Sequence, residues 1–99
     1  MLLRYKTKKL EKACNDYSFA TKIYGDNMAT KLQMRIDQMT AFSSVEELIK
    51  YRIGRCHMLT GDRNGQYAMD LVHPYRLIFI VDKSGEIQVS EIIEIVDYH

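Results

Sequence analysis

One stretch, residues 56–81, restricts the fold more than any other part of the chain. Four turn-forming residues interrupt its first half: Gly61, Asp62, Asn64 and Gly65. Two apolar segments follow, 66–72 and 75–81, with His73-Pro74 between them. Two strands joined by so short a connection pair antiparallel. The stretch therefore predicts a β-hairpin, and with it a sheet against which the rest of the chain must pack.

The first 41 residues predict a strand and two helices. Residues 2–5 are apolar enough for a strand, and Thr7 is a helix N-cap residue for a helix that starts at Lys8 and ends at Gly25. Apolar residues recur along this helix at helical spacing: Leu10, Ala13 or Cys14, Tyr17, Ala20 and Tyr24. The second helix, capped by Asp26 or Asn27, has a regular stripe of its own: Met28, Leu32, Ile36 and Met39. Two helices joined at one glycine form an antiparallel helical hairpin.

The remaining segments complete the predicted fold. Ser44-Val45-Glu46-Glu47 has the form of a capping box, in which Glu47 reaches back to the Ser44 amide, and it opens a short helix to about Tyr51. A turn at 83–86 leads to a last strand over 87–96, in which apolar and polar residues alternate. We expect one α+β domain spanning residues 1–99, with a small, twisted antiparallel sheet of four or five strands and the helical hairpin on one face.

Composition excludes several classes of protein. A hydrophobic content of 46% with 27% charged residues is that of a folded globular chain. There is no apolar run for a signal peptide or a bilayer span, so we expect a cytoplasmic protein that does not bind membranes. Cys14 and Cys56 lack metal-ligand spacing and are read as reduced thiols, and no metal or cofactor is predicted. The net charge of +1 gives no reason by itself to expect nucleic-acid binding.

The polar residues that are able to do chemistry lie along the hairpin and at the end of the chain. His57 and Arg63 precede and enter the turn, and Arg76 stands in an otherwise apolar strand. A guanidinium in that position requires an anion, either Glu94 or Asp70 across the sheet or a phosphate ligand. The last strand runs directly into Asp97-Tyr98-His99.

These segments carry a resemblance to a known family. The turn Leu59-Thr60-Gly61-Asp62-Arg63-x-Gly65, the strand Tyr75-Arg76-Leu77-Ile78-Phe79 and the terminal Asp97-Tyr98-His99 together resemble the HigB branch of the RelE/ParE toxin superfamily, also called plasmid maintenance killer proteins. The similarity covers nearly the whole chain. It implies the toxin of a type II toxin-antitoxin system: a metal-independent endonuclease that cleaves mRNA in the ribosomal A site and so inhibits translation.

The resemblance also implies an active site, made of His57, Arg76, Asp97, Tyr98 and His99. Cleavage of RNA without a metal needs a base for the 2′-hydroxyl, a cation for the phosphorane and an acid for the leaving 5′-oxygen. We expect His57 and His99 to be the proton-transfer pair, in either order, and Arg76 to be the phosphate clamp. Tyr98 is expected to stack on a base or donate its hydroxyl, and Asp97 to orient an imidazole. His73, beside Pro74, is read as a loop histidine.

Further contacts and partners follow from the same resemblance. Arg63 is expected to contact the RNA backbone, and Thr60 and Lys50 are the other candidate RNA- or phosphate-binding residues. Toxins of this branch commonly have a lysine where this chain has Thr60, and threonine lacks the positive charge of that lysine. Arg63 or Lys50 is the candidate to supply the charge instead. The implied partners are the ribosome, mRNA and a HigA-like helix-turn-helix antitoxin. The chain is expected to contact operator DNA only through this antitoxin. Two alternatives stay open: a ParE-like, non-enzymatic poison of DNA gyrase, and a degenerate toxin fold that serves as a binding or regulatory partner.

Overall fold

The computed structural model describes residues 1–98. Its strands and helices follow in the order β1 (Leu2–Tyr5), α1 (Lys8–Asn15), α2 (Tyr17–Tyr24), α3 (Asp26–Ala41), α4 (Val45–Lys50), β2 (His57–Met58), β3 (Tyr67–Asp70), β4 (Tyr75–Asp82) and β5 (Val89–Asp97). Two short 3₁₀ turns, Ile53–Arg55 and Gly61–Arg63, flank β2. No helix of the described part of the chain combines the length and the apolar composition needed to cross a membrane.

The five strands form one sheet in the order β1-β5-β4-β3-β2. The predicted hairpin is confirmed as β3 and β4, which pair antiparallel with Asp70 opposite Arg76. The expectation of a wholly antiparallel sheet is wrong for one pair, because β1 runs parallel to β5, with Leu2 opposite Val89. Almost the whole chain lies between these two strands, and so long a connection permits parallel pairing.

The helices cover one face of the sheet and confirm the α+β class. All four residues of the predicted α3 stripe are buried: Met28, Leu32, Ile36 and Met39. They join Leu77, Phe79 and Ile92 of the sheet in one core cluster. Because side chains alternate along a strand, Asp70 and Arg76 point to the other side. We call that side, which also carries Glu94, the open face.

Side-chain caps mark the starts of α1, α2 and α4, and one of them divides a helix that the sequence predicted as continuous. The helix expected over residues 8–24 is broken at Asp16, whose backbone is extended (φ −118°, ψ 101°) and whose carboxylate accepts a hydrogen bond from the Phe19 amide at 3.1 Å. Asp16 thus caps α2 as Thr7 caps α1, and the cap competes with continuation of the helix. The Ser44 hydroxyl accepts from the Glu47 amide at 3.2 Å as expected, and the Glu47 carboxylate also accepts from the Ser43 amide at 3.0 Å.

Candidate functional site

A small cavity lies where the β3–β4 hairpin turns. It holds about 80 Å³, and its lining includes Arg55, Asp70, His73, Tyr75, Arg76 and Tyr98. Two arginines and one aspartate give this lining an excess of one positive charge, with histidine neutral. A cavity of this size and charge suits a small anionic group.

Arg76 is held between an anion and an aromatic ring. Its Nε lies 3.5 Å from Oδ1 of Asp70, and the carbon of its guanidinium lies 4.8 Å from the centre of the Tyr98 ring. The second contact has the geometry of a cation–π interaction. The Tyr98 amide donates a hydrogen bond to the Pro74 carbonyl at 3.0 Å, which ties the end of the chain to the hairpin connection. The guanidinium therefore lies beside the cavity, in contact with both groups.

Asp70 links this hairpin to two further arginines. Its Oδ2 pairs with Nε of Arg55, and its backbone carbonyl accepts a hydrogen bond from Nε of Arg35 at 2.7 Å. Burial against the sheet lowers the pKa of Arg35, an effect that the Asp70 charge opposes. The bond to Asp70 raises the pKa of Arg55. One aspartate therefore organises three guanidinium groups.

A tight turn before β2 brings Arg55 to the cavity. Arg52, Gly54 and Arg55 all have left-handed backbone conformations, with φ of 55°, 56° and 53°. Glycine is needed at 54 for a second reason, because a Cβ there would lie 2.6 Å from Nε of Arg35. Non-glycine residues with positive φ are uncommon and are concentrated at functional sites. This turn gives Arg55 its place in the cavity.

His57, one of the two histidines expected to transfer protons, lies on the open face but outside the cavity lining. It pairs with Ala68 of β3, and its Nδ1 lies 2.7 Å from the carbonyl oxygen of Arg55. Strand spacing puts its Cα about 12 Å from that of Arg76, two strands across and two residues along. The histidine that lines the cavity with Arg76 is His73, which the sequence led us to treat as a loop residue.

Of the three terminal residues, the structure describes Asp97 and Tyr98. Tyr98 meets Arg76 as expected. Asp97 is exposed and pairs with Tyr75, whose ring contacts Tyr24 of α2 at 6.0 Å between centroids. This register puts Asp97 in line with the helix-covered face rather than with Arg76. His99 lies outside the described residues.

The three expected RNA-contacting residues are dispersed. Arg63 lies on the open face, where its Nη2 pairs with Glu94 at 3.0 Å. Thr60 is exposed and precedes the 3₁₀ turn Gly61–Arg63. Lys50 ends α4 and has its Nζ 5.4 Å from the centre of the Tyr51 ring, so no described contact joins it to the cavity. Of the two ionic partners proposed for Arg76, Asp70 is confirmed and Glu94 is not.

Sequence reasoning missed Arg55 and His73. The signal for His73 was its position at the hairpin turn, two residues from the start of the strand that carries Arg76. Arg55 had no such signal, because its place depends on a left-handed turn and on a partner 15 residues away. Among residues 1–98, no group of three or more histidine, cysteine or acidic side chains is arranged to hold a metal ion.

The arrangement of strands and helices has solved counterparts. A structure described as a YoeB/ParE toxin from Agrobacterium tumefaciens is 22% identical, covers all of both chains and has a TM-score of 0.61. A YoeB-YefM complex from Staphylococcus aureus is 20% identical over all of this chain and 98% of that one, with a TM-score of 0.62. The chain has the fold of the YoeB/ParE-type toxins.

Other comparisons set the extent of this likeness. A YoeB dimer from Staphylococcus aureus is 19% identical over all of this chain and 97% of that one, with a TM-score of 0.55. No protein-family model matches this chain, and no curated protein does. The solved structures confirm a fold of the YoeB/ParE type, and they give no support to the HigB branch in particular.

Proposed function

We propose that this chain is the toxin of a type II toxin-antitoxin system and acts as a metal-independent, ribosome-dependent mRNA endonuclease of the HigB kind. The observation that carries the proposal is the cavity at the turn of the β3–β4 hairpin, where Arg76 and Tyr98 are in contact and Arg55 and His73 also form part of the lining. This cationic and aromatic site occurs in a chain with a YoeB/ParE-type fold.

The residues that we propose for the site supply the chemical groups that RNA cleavage needs. A guanidinium binds phosphate through a planar pair of N–H donors, so Arg76 is suited to hold the charge of the phosphorane. An exposed tyrosine such as Tyr98 stacks on a base. Imidazole serves as acid or base near neutral pH. We assign proton transfer to His99 and His57, and we add His73 because it lines the cavity with Arg76.

The proposal includes an antitoxin. Two of the similar solved structures are described as YoeB-YefM complexes. We propose that this chain binds an antitoxin encoded beside it, of the HigA-like helix-turn-helix class, and that the toxin acts in the cytoplasm on message held by ribosomes. Co-purification of an untagged neighbouring gene product, with relief of growth arrest on co-expression, supports this. Failure of any adjacent gene product to relieve arrest contradicts it.

The endonuclease is tested by inducing the chain in cells and mapping the 5′ ends of messages. Wild type is expected to create new ends within translated reading frames, and His99→Ala to abolish them at equal protein level. His73→Ala and His57→Ala, tested in parallel, show which second imidazole the reaction needs. Growth arrest without new ends inside reading frames rejects the endonuclease.

A gyrase poison is the second candidate. It is favoured by the ion pairs of Arg76 with Asp70 and of Arg63 with Glu94, since cations already neutralised within the protein also suit a surface that only binds. Such a protein induces DNA-damage signalling and leaves message intact. A degenerate toxin that only binds a partner would cause neither effect.

A further inference from the structure

Asp70 forms ion pairs with both arginines of the cavity lining. Its carboxylate lies between Arg55, paired through Oδ2, and Arg76, whose Nε is 3.5 Å from Oδ1. Both arginines and Asp70 line the cavity. The carboxylate therefore occupies the position between two guanidinium groups that a bound anion would take.

The contacts of Asp70 fall into two sets, one to a buried side chain and one to side chains that reach solvent. Its backbone carbonyl is bound by Arg35, which is buried and also donates to Gln38 at 2.9 Å. Its carboxylate instead faces side chains that reach solvent, with 71% of Arg55 and 28% of Arg76 exposed. The backbone at the end of β3 is thus held by a buried side chain, whereas the ion pairs of the carboxylate lie at the solvent-exposed surface.

We propose that Asp70 is a built-in counterion of this site, which an RNA phosphate displaces from between Arg55 and Arg76. This inference rests on the proposed function, since it takes the cavity as the place where RNA binds. Carboxylate and phosphate compete for the same guanidinium donors. Ion pairs as exposed as that of Arg55 contribute little to stability, so their loss opposes the exchange only weakly.

The exchange limits how strongly the free protein attracts anions. With Asp70 in place, the excess charge of the lining is a single positive one, and without it both guanidinium groups would face the ligand unopposed. A negative charge a few ångströms from a bound phosphate weakens its binding. Removing the charge of Asp70 while keeping its shape should therefore strengthen phosphate binding.

The experiment compares Asp70→Asn with Glu91→Gln in titrations with inorganic phosphate at constant ionic strength. Glu91 is a matched control because it too pairs with an arginine, Arg4 at 2.8 Å, and is similarly exposed, with 23% for Glu91 and 26% for Asp70. We expect Asp70→Asn to bind phosphate about 5-fold tighter than wild type and Glu91→Gln to stay within about 2-fold. Adding Arg55→Gln to Asp70→Asn should cancel the gain.

Equal or weaker phosphate binding by Asp70→Asn overturns the proposal, and so does an absence of binding by both variant and wild type. If Asp70→Asn does not fold, Arg55→Gln decides: a loss of about 3-fold or more in phosphate affinity supports the exchange, and unchanged affinity rejects it. Tighter phosphate binding with messages left intact keeps the exchange and rejects the endonuclease. Message cleavage without tighter binding rejects the exchange alone.

Discussion

Arg76 illustrates how much a single residue of the sequence predicts about its surroundings in the structure. A guanidinium in an apolar strand requires an anionic partner, and Asp70 across the hairpin is that partner. The sequence did not indicate that the same carboxylate also binds Arg55, because that pair depends on three left-handed residues in a short turn. Single residues thus predicted the chemistry of the site more completely than they predicted which residues form it.

The cysteines give a direct test of burial. Cys14 and Cys56 are 1% and 4% exposed, and burial raises the pKa of each thiol to about 12. Since the thiolate is the reactive form, the folded protein should react with a disulfide reagent at pH 8 no faster than it unfolds. In concentrated guanidinium chloride both thiols should react at once. Rapid labelling of the native protein would show that these side chains are accessible.

At the scale of secondary-structure elements, local sequence signals predicted whether a segment is a helix or a strand better than they predicted where it begins and ends. The α3 stripe, the Thr7 cap and the β3–β4 hairpin were all confirmed. The break at Asp16 was missed because apolar spacing continues through it, and a side-chain cap that ends one helix and begins another leaves that spacing unchanged. The parallel pairing of β1 with β5 was missed because it joins segments nearly 90 residues apart and has no local signal.

The turn that positions Arg55 is tested with Gly54→Ala. The added Cβ meets both a left-handed φ of 56° and the Arg35 guanidinium at 2.6 Å, so we expect a loss of about 1 to 2 kcal/mol in the free energy of unfolding. Gly85→Ala is the control, because its Cβ would have no atom nearer than 3.9 Å, and its effect should stay within about 0.5 kcal/mol. Equal stability of the two variants in urea unfolding would contradict this description of the turn.

At the scale of the whole molecule, the sheet has one helix-covered face and one open face, and this division separates the core from a group of ion-paired side chains. The core groups lie between helices and sheet, whereas Arg76, Arg63 and Glu94 share the open face. Net charge of +1 conceals this distribution. The side chains on the open face are those that point away from the helices. Alternation along a strand predicts which side chains these are only once the register of the strand is known.

Four buried or half-buried titratable groups predict how the free energy of unfolding depends on pH. Burial raises the pKa of Tyr5, Cys14, Tyr24 and Cys56 above the ordinary values of 10.0 for tyrosine and 9.0 for cysteine. The unfolded chain then loses these protons first, so the folded state binds more protons and the free energy of unfolding falls as pH rises above about 9. The stabilisation is complete below that pH.

Urea unfolding between pH 7 and pH 11 measures this fall. The double substitution Cys14→Ala with Cys56→Ala should make the decline with pH shallower, whatever its effect on stability at pH 7, because two of the four groups no longer titrate. A decline of unchanged steepness in the double variant would mean that the thiols do not contribute to it.

Cleavage of message on purified ribosomes tests the central claim most directly, with wild type compared against Arg76→Ala and with Arg4→Ala as the control for loss of an ion-paired arginine elsewhere on the sheet. If Arg76 stabilises the charge of the phosphorane, its loss should slow cleavage by about 100-fold or more while Arg4→Ala stays near the wild-type rate. Cleavage by Arg76→Ala at the rate of Arg4→Ala would contradict the account.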